Sequence, residues 1–148
     1  LNTIQFQLME ETFMYNAVGI EASKLKSTIT IIQPHELLFQ PFDVLHTSDK
    51  LNTLVTYLKS LEGETRAVIE CTGRYHEPVV KSLSEAGIFI SAVNPKLIKG
   101  QKQNTLRKVK SDPADARKIA KYALDNWAEL REYSSCLLYT SDAADEAR

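Results

Sequence analysis

Cysteine is scarce in this chain of 148 residues, and long apolar runs are missing. The two cysteines, Cys71 and Cys136, are too few and too far apart for a disulfide framework or a closely spaced zinc site. No apolar run approaches the ~20 residues that span a membrane. The first residues also lack the basic start and apolar core of a secretory leader. We therefore expect a protein of a reducing, cytoplasmic setting that does not act in a membrane.

Charge is nearly balanced over the whole chain, with a net charge of -1, but it is unevenly distributed. Residues 96–121 contain nine bases and only two acids, Asp112 and Asp115. Such a basic run is typical of a solvated surface. Two acids isolated among so many bases fit a phosphate-binding active site somewhat better than they fit a solvated surface.

Asp112 and Asp115 stand three residues apart, and residues at this spacing share one face of a helix. These residues also make a good helix start with no further role, because Asp112 is at the N-cap, Pro113 at the first helical position and an acid at the third. The alternative is that both carboxylates hold one divalent cation while the surrounding bases hold a polyanion. More carboxylates elsewhere are needed to favour this second interpretation.

Hydrophobic periodicity predicts one α/β domain over residues 15–133 with the order βββαβαβα. The third strand contains Pro41 and is expected at an edge of the sheet. Residues 96–110 are expected to be part loop and part helix. The predicted strands are 15–22, 27–33, 37–44, 66–71 and 88–93. The first predicted helix starts at residues 47–49 and runs to residue 61, and the other two are 75–86 and 112–131.

Glu21 and Glu70 end the first and fourth predicted strands. Ligand sites of α/β sheets lie beyond the carboxyl ends of the strands. If these strands are neighbours, both acids meet there, and a helix carrying Asp112 and Asp115 completes a group of four carboxylates. Such a group would hold two Mg²⁺ ions about 3.5–4 Å apart.

Simpler interpretations of these residues stay open. Glu21 would then face solvent at a strand end, and Glu70 would pair with Arg74 or Arg66. His76 is expected to be exposed at a helix start, and Tyr75 is expected to pack rather than to react.

Several motifs occur in the order of a known family: Val18-Gly19-Ile20-Glu21-Ala22-Ser23-Lys24, Ile69-Glu70-Cys71-Thr72-Gly73-Arg74-Tyr75-His76, Val93-Asn94-Pro95-Lys96 and Lys108-Val109-Lys110-Ser111-Asp112-Pro113-Ala114-Asp115-Ala116. This stretch resembles the N-terminal half of the DEDD-type insertion-sequence transposases. That family uses a bridge RNA and includes the pilin-gene invertases.

The resemblance implies a RuvC-like, RNase H-like domain with a mixed five-stranded sheet and flanking helices. It implies Mg²⁺- or Mn²⁺-dependent DNA cleavage and strand transfer in the transposition of a prokaryotic mobile element, at the nucleoid. It also implies DNA and structured guide RNA as partners, and a homo-oligomer at full length. The family's catalytic and metal-binding acids correspond to Glu21, Glu70, Asp112 and Asp115. The residues expected to contact nucleic acid are Lys24, Arg74, Lys96, Lys99, Arg107, Lys108, Lys110 and Arg117.

The chain departs from the family in two respects. Glu21 stands where the family usually has Asp, and the extra methylene moves the carboxylate by roughly 1.5 Å. The family's C-terminal domain, with a serine thought to attack DNA, is not found. Residues 136–148 resemble a translated sequencing adapter, and residues 1–14 are expected to be a leader or upstream extension. We therefore expect a truncated chain that does not recombine DNA alone.

Three alternatives follow from the same residues. One is a stand-alone structure-specific nuclease of the same fold, such as a junction resolvase. Another is an ATPase or sugar kinase of the actin-like fold, because residues 19–24 faintly resemble a phosphate loop. The third is a non-catalytic remnant that binds nucleic acid without needing the four acids.

Overall fold

The structure is a computed structural model that describes residues 14–34, 36–37, 40–99 and 112–133. The strands are β1 (Tyr15–Ala22), β2 (Lys26–Gln33), β3 (Glu36–Leu37), β4 (Phe42–Leu45), β5 (Glu64–Glu70) and β6 (Phe89–Val93). The helices are α1 (Ser48–Lys59), α2 (Glu77–Glu85), α3 (Pro95–Lys99) and α4 (Asp112–Asp125), and a 3-10 turn follows at Trp127–Glu129. No helix in this part of the chain has the length and apolar character needed to cross a membrane.

All six strands form one mixed sheet in the order β3-β2-β1-β5-β6, with β4 also paired to β2. β1 pairs antiparallel with β2 and parallel with β5, and β5 pairs parallel with β6. The carboxyl ends of β1, β5 and β6 therefore meet at one edge of the sheet, which we call the carboxyl edge. The predicted α/β class is confirmed. The first and fourth predicted strands are neighbours, which was the condition for Glu21 and Glu70 to meet.

The third predicted strand is divided into two short segments along the same side of β2. Ile32 pairs with Leu37 and Ile29 pairs with Phe42, so five steps along the edge strand span only three steps of β2. Pro41 lies in this irregular stretch, where its missing N–H costs no ladder hydrogen bond. The prediction of an edge strand interrupted at proline is thus confirmed, and the irregularity is larger than the sequence indicated.

Helices cover both faces of the sheet because side chains of the central strands alternate between them. On one face, α1 and α2 pack on residues such as Val18, Ile20 and Ile69. On the other face, α3 and α4 pack on Ala17 and Val68. The last helix has an apolar face of small and branched side chains that are fully buried: Ala116, Ile119, Ala120 and Ala123. The helix ends at Asp125, earlier than predicted.

A cluster around Arg66 holds the end of α4 against the amino ends of the strands. The Arg66 guanidinium lies 4.5 Å from the ring centroid of Phe89 and 5.0 Å from that of Trp127. Its Nη1 donates a 2.7 Å hydrogen bond to the Trp127 carbonyl oxygen. Trp127 also stacks on Tyr15, with 4.7 Å between ring centroids. These contacts fix the C-terminal end of α4, and hence the direction in which the helix crosses the sheet.

Candidate metal and nucleic-acid site

Glu21 and Glu70 lie side by side at the carboxyl edge. Ile20 pairs with Ile69 in the parallel register of β1 and β5, and each glutamate is the next residue in its strand. Neighbouring strands are about 4.8 Å apart. The sheet therefore brings the backbones of these two acids together, so the condition stated for them in the sequence analysis is met.

Both glutamates belong to the face of the sheet that α4 covers. Along β1, Glu21 is in phase with Ala17, and along β5, Glu70 is in phase with Val68. Ala17 and Val68 pack in the cluster beneath α3 and α4. Because side chains alternate strictly along a strand, both glutamates belong to this same face, at the carboxyl edge of the sheet.

Gly19 lets α4 approach β1 closely beside these acids. A Cβ atom at Gly19 would lie 2.8 Å from the Ala120 Cα, and closer still to the Ala116 carbonyl oxygen and the Ala120 nitrogen. Real Cβ atoms essentially never come within 3.0 Å of another atom in this way. The absence of a side chain at Gly19 is thus what lets the backbone of α4 rest on the strand two residues before Glu21.

Asp115 precedes Ala116 on α4 and is only 7% exposed. Ala116 touches Gly19, so Asp115 lies at the end of α4 that is closest to the carboxyl edge. Within the described residues Asp115 forms no salt bridge. A buried carboxylate without a compensating cation is energetically costly.

The described part of the chain does not bring these acids into one compact group of ligands. Among residues 14–34, 36–37, 40–99 and 112–133, no three His, Cys, Asp or Glu side chains form a group that would hold a metal ion. Asp112 begins α4, and its side chain lies outside the described residues. Glu21 and Glu70 each have an interaction partner. Arg66, one of the partners expected for Glu70, instead pairs with Glu64 at 2.8 Å.

Three of the expected nucleic-acid contacts lie at the carboxyl edge. Lys24 follows β1, Arg74 follows β5 and Lys96 is in α3 after β6, and all three are exposed or partly exposed. Arg117 is exposed on α4. The other predicted contacts are not described: the side chain of Lys99, and Arg107, Lys108 and Lys110 entirely.

His76 and Tyr75 have the reverse of their expected exposures. Tyr75 is 44% exposed and His76 only 9%. Burial lowers the pKa of His76, and its Nδ1 has no hydrogen-bond partner among the described residues. The sequence contained the signal, because His76, Val79, Val80 and Leu83 follow the i, i+3, i+4, i+7 spacing of a buried helix face.

His46 is a further residue whose role the sequence did not indicate. Its backbone N–H donates to the Leu25 carbonyl oxygen at 2.9 Å, and its Nε2 lies 2.8 Å from Ser27 Oγ. The ring also hydrogen-bonds the backbone of Lys24. Burial lowers the pKa of His46, against a smaller opposing effect of this hydrogen bond. His46 thus fixes the turn between β1 and β2.

Solved structures of the RuvC nuclease share this architecture. A Thermus thermophilus RuvC structure matches with a TM-score of 0.57 and 13% identity, covering 82% of this chain and all of that one. RuvC of T. thermophilus in complex with a Holliday junction substrate matches with a TM-score of 0.55 and 13% identity, covering 78% of this chain and 95% of that chain. The chain therefore has an RNase H-like fold of the kind seen in RuvC.

A family model of the IS110-type DEDD transposases, described as "Transposase", matches residues 18–136. The chain belongs to this transposase family. Comparison with curated protein sequences gives no match. The family membership confirms the resemblance drawn from the motifs, and it disfavours the actin-like kinase alternative. A DNA transposase or nuclease function in the full-length protein agrees with both the family and the fold.

Proposed function

We propose that this chain is the N-terminal catalytic domain of a DNA transposase that cleaves and transfers DNA strands with Mg²⁺ or Mn²⁺. Its ligands would be Glu21, Glu70, Asp112 and Asp115. The observation that carries the proposal is the contact of α4 with Gly19. This contact puts the helix that bears the two aspartates on the same face and at the same edge as the two glutamates.

The chemistry of these side chains fits a hard divalent cation. Carboxylate oxygens are the ligands that Mg²⁺ prefers, and it commonly binds through a few carboxylates together with waters and substrate phosphates. Asp115 is buried without a salt bridge to the described residues, so a cation would compensate its charge.

When bound, the cations would supply Lewis-acid chemistry at a phosphodiester and activate its nucleophile. The chain's own residues would position the strand. Lys24, Arg74 and Lys96 would neutralise phosphates on either side of the reacting group. By resemblance to the family, the proposal extends to a structured guide RNA and to a homo-oligomer of the full-length protein.

Calorimetric titration of Mn²⁺ and Mg²⁺ into the purified chain tests this proposal. Glu70→Gln and Asp115→Asn should each weaken binding more than about tenfold, because ligands contribute at least as much as the groups that orient them. Glu85→Gln is the matched control, since Glu85 lies on α2, away from the site, and its exposed side chain pairs with Lys81 at 3.3 Å. Unchanged affinity in both site variants would contradict the assignment of the site.

A further inference from the structure

The exposed apolar side chains of the described residues are not scattered over the surface. Four large ones are exposed: Leu25, Leu45, Tyr75 and Leu97. The turn after β1 carries Leu25, the loop after β5 carries Tyr75, and α3 after β6 carries Leu97. β4 is antiparallel to β2, which is antiparallel to β1, so β4 also ends at the carboxyl edge, at Leu45. All four therefore lie at one edge of the sheet.

Three of these residues directly follow a cation that solvent reaches, in the pairs Lys24-Leu25, Arg74-Tyr75 and Lys96-Leu97. We call these pairs the three tips. None of their cations forms a salt bridge within the described residues, whereas Lys26, Arg66, Lys81 and Lys121 all do. Each tip thus presents an uncompensated positive charge beside an apolar surface.

The tips are held in place by local hydrogen bonds. Ser23 donates from its backbone N–H to the Lys26 carbonyl oxygen at 2.8 Å, and His46 N–H donates to the Leu25 carbonyl oxygen. At the second tip, Glu77 N–H donates to the Arg74 carbonyl oxygen at 3.1 Å. At the third, the Asn94 side chain accepts a 2.8 Å hydrogen bond from Lys96 N–H. These hydrogen bonds fix the backbone of the turns with the apolar side chains exposed. The turns therefore need little further ordering when a ligand binds.

We infer that the three tips bind a nucleic-acid strand whose bases are unpaired. Cations that follow the phosphates, together with aromatic side chains on which bases stack, are the recognition pattern of single strands. Tyr75 is the aromatic residue of the three tips, and Leu25 and Leu97 would add apolar contact beside it. A fully paired duplex offers phosphates to the cations but keeps its base faces stacked inside, so Leu25, Tyr75 and Leu97 would gain nothing from it. The inference rests on the proposed function, since the tips surround the acids of the candidate metal site.

Fluorescence anisotropy with the whole chain tests this inference, in the presence of EDTA so that nothing is cleaved. The probes are one labelled DNA strand, the same strand fully paired, and an RNA strand of equal sequence. We expect the chain to prefer a strand, DNA or RNA, over the duplex. Tyr75→Ala should weaken strand binding about fivefold to a hundredfold, the range found for loss of one stacked base. It should leave duplex binding nearly unchanged.

Leu25→Ser and Leu97→Ser should reduce the strand preference in the same direction. Lys59→Ala is the control, because Lys59 ends α1 at the opposite edge of the sheet and is exposed. Equal binding of strand and duplex by the unaltered chain, or strand affinity that is insensitive to all three apolar substitutions, would overturn the inference while leaving the proposed function intact. Failure to bind any of the three probes at low salt would overturn both.

Discussion

Replacing Gly19 by alanine tests whether the packing of α4 on β1 positions the candidate metal site. The three atoms nearest to the added Cβ would all be backbone atoms of α4, including the Ala120 Cα at 2.8 Å. Backbone atoms cannot rotate away as a flexible side chain does, so the helix itself must move outward. Overpacking of this kind costs about 1–3 kcal/mol. We expect the upper part of this range, because three backbone atoms of α4 are too close at once.

The same displacement would carry Asp115 away from Glu21 and Glu70. Urea unfolding should therefore show the loss of stability, and Mn²⁺ titration should show weaker binding at temperatures where the variant is folded. For a chain of this size, each kcal/mol corresponds to a fall in Tm of about 2–4 °C. Both effects are expected from Gly19→Ala.

Gly87→Ala provides the control. Gly87 has a φ of +83°, and a Cβ atom added there would meet open space, so alanine strains the backbone without pushing on any element. That strain costs roughly 1–2 kcal/mol. If Gly19→Ala weakens Mn²⁺ binding no more than Gly87→Ala does, the reasoning that links Gly19 to the site is refuted.

Three further predictions concern stability. Burial lowers the pKa of His46 and His76 below 6.5, so the unfolded chain binds protons that the folded chain does not. The free energy of unfolding should therefore fall as the pH drops below 6.5. Urea titrations on either side of that pH should show a weaker pH dependence for His76→Phe. Arg66→Lys should cost about 1–3 kcal/mol in thermal unfolding, because lysine cannot lie between the two rings and also bond the Trp127 carbonyl. Asn16→Ala should cost a similar amount, about 1–3 kcal/mol by urea unfolding, because it removes the hydrogen bonds that the fully buried Asn16 amide makes with Glu62, Thr65 and Gln33.

The strands and the edge at which the acids meet could be predicted from sequence because their signals are local. Runs such as residues 66–71 are apolar and short, and an acid at the end of such a run is conspicuous. The alternation of later strands and helices indicated parallel pairing, whereas the adjacency of β1 and β5 was only a condition until the structure showed it. Parallel strands in one sheet then leave their carboxyl ends at the same edge.

Other features depended on contacts between distant residues. Gly19 appeared in the sequence only as part of a motif, and its close approach to Ala116 becomes visible once α4 is placed. The exposure of Tyr75 depends on where α2 begins, at residue 77 rather than 75. The burial of His76 differs, because its helical spacing to Val79, Val80 and Leu83 already indicated it. The role of His46 depends on its hydrogen bonds to the turn between β1 and β2, which the sequence does not show.

The most direct test of the account is anomalous diffraction from crystals of this chain grown with Mn²⁺. The account predicts an anomalous peak at the carboxyl edge, within coordination distance of carboxylate oxygens from Glu21, Glu70 and Asp115, and its disappearance in Glu70→Gln crystals. Mn²⁺ bound only elsewhere, with this edge free of anomalous density at saturating metal, would contradict the claim that these acids form the catalytic metal site.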